Sequence, residues 1–141
     1  GTNTTPMWDG AQDARGILYM ANSDGLVSFD GQRWALQRTR TPLRAVVADD
    51  YGHIFVGGLE EFGLFFPNER GALTYRSLSR MLAESAARAV RRVEGIYLAG
   101  GNVYYVDQNK AYYTAAGPQA DFLTVAPIDL PGQSQGSDMA A

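Results

Sequence analysis

Few residues in this chain can do chemistry, and most of them sit where the backbone is expected to turn. His53 is the only histidine, so a site of several histidines is excluded and any Ser-His-Asp arrangement would have to use it. It follows a turn glycine, Gly52, with Asp49 and Asp50 just upstream. Aspartates in such positions bond backbone N–H groups of the turn, so a histidine held in a turn is a plainer account than a catalytic one. Glu60 and Glu61 are the first candidates for ligand contact, at the tip of the longest expected hairpin loop, residues 58–62. Adjacent carboxylates do not face each other across a substrate as the acid and base of a glycosidase must. A solvated loop is the competing account. Arg38, Arg40 and Arg44 form a small basic cluster. It reads either as a contact for an anion or sugar acid or as an exposed connection between units. Ligand contact is therefore expected of Glu60, Glu61, Arg38 and Arg40, with no catalytic residue, metal or cofactor.

Other patterns resolve into turns. Asn22-Ser-Asp-Gly25 lacks the run of oxygen ligands and the closing glutamate of a calcium loop. Gly57-Gly58 and Gly100-Gly101 carry neither the lysine nor the helix of a phosphate loop and read as hairpin glycines. Asn3-Thr-Thr5 fits a glycosylation acceptor, which would be meaningless if the source is bacterial. The absence of cysteine excludes disulfides, thiolate metal sites and a cysteine nucleophile. A net charge of −3 gives no electrostatic case for nucleic acid. No apolar stretch approaches the roughly 20 residues of a membrane span. The first residues, Gly1-Thr-Asn-Thr-Thr-Pro-Met-Trp8, are neither an initiator product nor a signal peptide, so the chain reads as a segment of something longer.

The elements that must position these residues repeat. A polar turn ending in glycine opens a short apolar run at Asp13-Ala-Arg-Gly16 and again at Asp49-Asp-Tyr-Gly52. A weaker copy stands at Arg92-Val-Glu-Gly95, the three spaced about 40 residues apart. Tyrosine and β-branched residues concentrate in the runs around them, as strands require. The first unit reads as strands at 7–11, 17–21, 26–29 and 33–37, with Asp30-Gly31 as a type I′ hairpin dipeptide. The second reads as 43–48, 53–57, 63–66 and 73–76. The third reads as 89–93, 96–99, 103–107 and 111–114, the last two joined by a turn at Gln108-Asn109. The runs 17–21, 54–57 and 96–99 are almost wholly apolar and suit strands buried on both faces.

Four short strands per unit of this length are the arithmetic of a β-propeller blade. The expectation is an all-β chain of three four-stranded blades, at about 7–42, 43–84 and 85–116, forming a partial propeller over 1–116. A short helix is expected near 79–88 with Ser79 as its N-cap. Trp8 and Trp34 are expected to pack between blades. Residues 117–141 read as a Pro/Gly-rich tail with a strand-like run only at 122–125 and disorder over 133–141. Three blades do not close a ring, so two apolar sheet faces should be left open.

Residues 12–22, then Gly25-Leu-Val-Ser-Phe-Asp-Gly31 and Trp34, resemble the two-component regulator propeller repeats of bacterial sensor proteins. Residues 49–57 with Gly63-Leu-Phe-Phe66 resemble them more loosely, and the third unit lacks the aspartate of the pattern. The resemblance covers about residues 7–115. It implies blades of a periplasmic propeller ahead of a membrane helix and a histidine kinase or diguanylate cyclase. It also implies a non-catalytic sensing role, with an extracellular small molecule or oligosaccharide, further blades of the parent chain and a second copy of the chain as partners. Two other readings stay open: a structural or protein-interaction module, and a fragment of a propeller-fold lyase or glycoside hydrolase.

Overall fold

Alternating apolar and polar residues build three up-and-down sheets. The structure is a computed structural model and describes residues 7–131 except 109. The first sheet holds β1 (Met7–Gln12), β2 (Leu18–Asn22), β3 (Gly25–Phe29) and β4 (Trp34–Arg38). The second holds β5 (Leu43–Ala48), β6 (Ile54–Gly58), β7 (Glu61–Pro67) and β8 (Leu73–Ser77). The third holds β9 (Gly95–Ala99), β10 (Asn102–Val106), β11 (Lys110–Ala115) and β12 (Ala126–Asp129). Strands pair antiparallel in sequence order within each sheet. The chain is all-β, and its three sheets are blade-like. A 3-10 turn (Ser79–Met81) and one short helix, α1 (Glu84–Ala89), join the second sheet to the third.

The middle sheet carries both cores. Ile54, Val56 and Phe65 face the first sheet and pack with Tyr19, Leu26 and Leu43. Phe55, Phe62 and Leu64 point the other way and pack with Val103, Tyr105 and Tyr112 of the third sheet. Each such side chain withdrawn from water contributes about 1.5–3 kcal/mol, so the two seams between sheets hold the fold. The expectation of three strands buried on both faces is met only by β6. β2 and β9 keep exposed residues, because only the middle sheet has a neighbour on each side. Of the two tryptophans expected between blades, Trp34 is not there, while Trp8 is only half covered at the seam with the second sheet. Trp34 is 63% exposed on the outer face of the first sheet, stacked on Phe29 at 4.4 Å. Trp8 is half exposed beneath the Arg44 guanidinium, 4.7 Å from its ring.

The glycine turns of the first two units are one device used twice. Gly16 and Gly52 have φ of 88° and 87°, a region costly for any side chain. Asp13 Oδ1 accepts from the N–H groups of Arg15 and Ile17, and Asp49 Oδ1 from those of Tyr51 and His53. The Asp30 turn differs from the expected two-residue hairpin. Its loop runs over residues 30–33, with Asp30 Oδ1 accepting from Gln32 N and Arg33 N.

In the third unit Arg92 stands where the aspartate would be, and that turn is not made. Of residues 89–93, expected as the first strand of the unit, Ala89 ends α1 and 91–93 run instead against the β6–β7 hairpin. Val93 N donates to Gly58 O, and Glu60 N donates to Arg91 O, both at 2.9 Å. Asp107 Oδ2 holds the segment by accepting from Arg91 N and Arg92 N. This crossing requires glycine at 57, since a Cβ there would lie 2.8 Å from Val93 Cγ1. Gly95 consequently opens the first strand of its sheet and not the second. The fourth strand is β12, drawn from the stretch expected to be tail, while 122–125 is not a strand and Phe122 is buried. The expected disorder of 133–141, the acceptor pattern at Asn3 and the turn residue Asn109 lie outside the described residues.

Candidate functional site

Each seam of the middle sheet opens into a cleft, and the first gathers most of the expected ligand residues. Gly58 pairs with Glu61, so the β6–β7 loop is only Leu59 and Glu60, shorter than the expected 58–62 loop. Glu60 takes φ of 60° at the tip and is exposed. That turn separates the two glutamates. Glu61 enters β7 and is 7% exposed. Its Oε2 accepts from Tyr75 OH at 2.6 Å and its Oε1 from Ser79 Oγ at 3.0 Å. Ser79 Oγ in turn accepts from Phe62 N at 3.2 Å. Ser79 therefore caps no helix: it bridges the hairpin to the 3-10 turn, and α1 has Ala83 at its N-cap position with no side-chain cap. A buried carboxylate survives only when its oxygens are satisfied, and Tyr75 and Ser79 do this. Burial, then the hydrogen bond to Glu61, push the Tyr75 hydroxyl well above its usual range, so it stays a protonated donor.

The cleft beside this network has a volume of about 300 Å³. Arg38, Thr39, Arg40, Leu43, Glu61, Tyr75, Ser77 and Arg80 line it. Arg38 and Arg40 arrive from the end of β4 and the connection after it, and an Arg40 nitrogen lies 3.6 Å from Glu61 Oε1. Glu60 points elsewhere and Arg44 is spent on Trp8. Arg80 went unseen in the sequence, because nothing in its spacing ties it to residues 40 positions earlier; the 3-10 turn brings it in.

The second cleft, about 530 Å³, lies between the middle sheet and the 120–123 segment. Tyr51, His53, Phe66, Arg76, Asp121, Phe122 and Leu123 are among its lining residues. His53 Nδ1 lies 2.6 Å from Asp49 Oδ2, which leaves the ring's other nitrogen for a ligand. Phe122 meets the His53 ring edge-on at 5.0 Å and Phe55 at 5.9 Å. Its φ of 57° is strained for a side-chain-bearing residue. Two bonds hold it there: Arg76 Nη1 donates to Asp121 O, and Leu123 N donates to Asp121 Oδ1. Arg76 also covers the Phe66 ring at 5.6 Å. The turn aspartate beside His53 was legible in the sequence; the arrival of Phe122 was not.

Among the described residues, one carboxylate lines each cleft, Glu61 in one and Asp121 in the other. Among the described residues no three His, Asp or Glu side chains gather as metal ligands would. No helix among them is long and apolar enough to cross a membrane. No protein-family model and no curated protein matches the chain.

Proposed function

We propose that the chain is a non-catalytic ligand-recognition module of a bacterial signal-transduction receptor, placed in the periplasm with its output elsewhere in the parent protein. The observation that carries this reading is the larger cleft. Aromatic faces from Tyr51 and Phe66 and hydrogen-bonding groups from His53, Arg76 and Asp121 line one ligand-sized space. Rings that stack on C–H faces, beside groups that bond hydroxyls, suit an oligosaccharide. Against a glycosidase stands the one carboxylate that each cleft has among the described residues, since glycoside hydrolysis commonly needs a facing pair. The resemblance of residues 7–115 to sensor propeller repeats supports the same reading. The open faces of the first and third sheets, with Trp34 and Leu36 on one and Tyr97 on the other, would be covered by further blades or by a second copy.

His53 makes the test specific, because it is the only histidine and its imidazole nitrogens give one set of NMR signals. Titration with a panel of neutral oligosaccharides should move those signals for at least one member, and Tyr51→Ala, at an exposed position, should abolish the shift. A panel that leaves His53 unmoved, or a shift that Tyr51→Ala leaves intact, removes the reading.

A further inference from the structure

We propose that the smaller cleft binds a small oxyanion, a carboxylate- or phosphate-bearing molecule, through Arg38, Arg40 and Arg80. This rests on the ligand-recognition reading and names the chemistry of the second of its two clefts. Among the described residues, three guanidinium groups line a space whose one carboxylate, Glu61, already accepts hydrogen bonds at both oxygens from Tyr75 and Ser79. Among the described residues neither Arg38 nor Arg80 has an ion-pair partner, and Arg40 approaches Glu61 only at 3.6 Å. Three cations against one carboxylate leave positive charge in excess here, in a chain of net charge −3.

A second feature lies next to Arg40 in the chain, behind the residues that line the cleft. Thr41 Oγ1, in the connection that carries Arg40, is a buried side-chain oxygen with no hydrogen-bond partner among the described residues. Buried polar atoms are ordinarily paired, so this connection holds hydrogen-bonding capacity that the protein does not use. Arginine's planar fork matches carboxylate and phosphate oxygens two at a time, which makes it the side chain for this task. At about 300 Å³ the space sits at the small end of ligand sites, so the molecule has one ring or fewer. Tyr75, whose hydroxyl donates a hydrogen bond to Glu61, keeps that carboxylate from turning toward the anion.

Isothermal titration calorimetry with glucuronate, glucose 6-phosphate and glucose tests this. At least one of the two charged compounds should bind, more weakly as sodium chloride rises, while glucose gives no heat through this cleft. Binding of glucuronate alone assigns a carboxylate, of the phosphate ester alone a phosphate. Arg40→Gln and Arg80→Gln should each weaken binding roughly tenfold, whereas Arg88→Gln, on the exposed face of α1, should leave it unchanged. Thermal melts confirm that the variants are folded. If neither charged compound binds at about 10 mM, or if both cleft variants bind as the parent does, the proposal is overturned. The saccharide shift at His53 is read at the other seam, so either reading can fail alone.

Discussion

The two clefts open on opposite faces of the same middle sheet, yet different forces shape them. The arginine cleft is wired: Glu61, Tyr75, Ser79 and Phe62 N form a chain of hydrogen bonds that fixes a buried carboxylate beside three cations. The histidine cleft is packed: Phe122, held in a left-handed conformation, wedges its ring against His53 and Phe55. Hydrogen-bond networks set where charge sits, and aromatic packing sets shape. On the readings proposed above, one sheet would carry a site selective for charge and a site selective for form.

The largest effect expected from breaking this comparison comes from Phe122. Phe122→Ala removes a buried ring and should cost about 3 kcal/mol of stability in a urea titration. It should also erase the saccharide shift at His53 while leaving anion heats at the arginine cleft in place. Glu61→Ala attacks the other side. It leaves the Tyr75 hydroxyl and Ser79 Oγ without their acceptor, at a cost of about 2 kcal/mol by the same titration, and should spare the His53 shift. Equal damage to both ligands by either variant would show that the clefts are not separate.

The smallest effect sharpens the comparison through pH. Burial raises the Tyr75 hydroxyl above its ordinary value, so the folded state keeps this proton where the unfolded chain, near pH 10, gives it up. The unfolded state then binds fewer protons, and stability declines as pH rises above about 10. Tyr105 and Tyr112, raised chiefly by burial, add to the same slope. Tyr75→Phe should make the alkaline decline of the melting temperature shallower, although it lowers stability at neutral pH by leaving Glu61 one donor short. An unchanged alkaline slope would mean that this hydroxyl is not withdrawn from water.

Most of the fold was legible because local rules suffice for it. The Asp-x-x-Gly turns announce themselves, and in the first two units strand positions follow from alternation to within two residues. The third unit was misread at its two ends for one reason. With Arg92 in place of the turn aspartate, residues 91–93 pair with the neighbouring hairpin, and β12 completes the sheet from an apparently featureless stretch. Long-range pairing leaves no local mark. The site shows the same division. Arg38, Arg40 and Glu61 were visible as residue types, but the inward turn of Glu61 depends on Glu60 at positive φ, and Arg80 and Phe122 are delivered by segments distant in sequence.

The central claim is recognition without turnover. The direct measurement follows the His53 imidazole signals and the mass of the same oligosaccharide over a day of incubation. The account predicts a stable ligand-dependent shift with the saccharide recovered intact. Shortened or unsaturated products, with the His53 shift decaying as they accumulate, would contradict it.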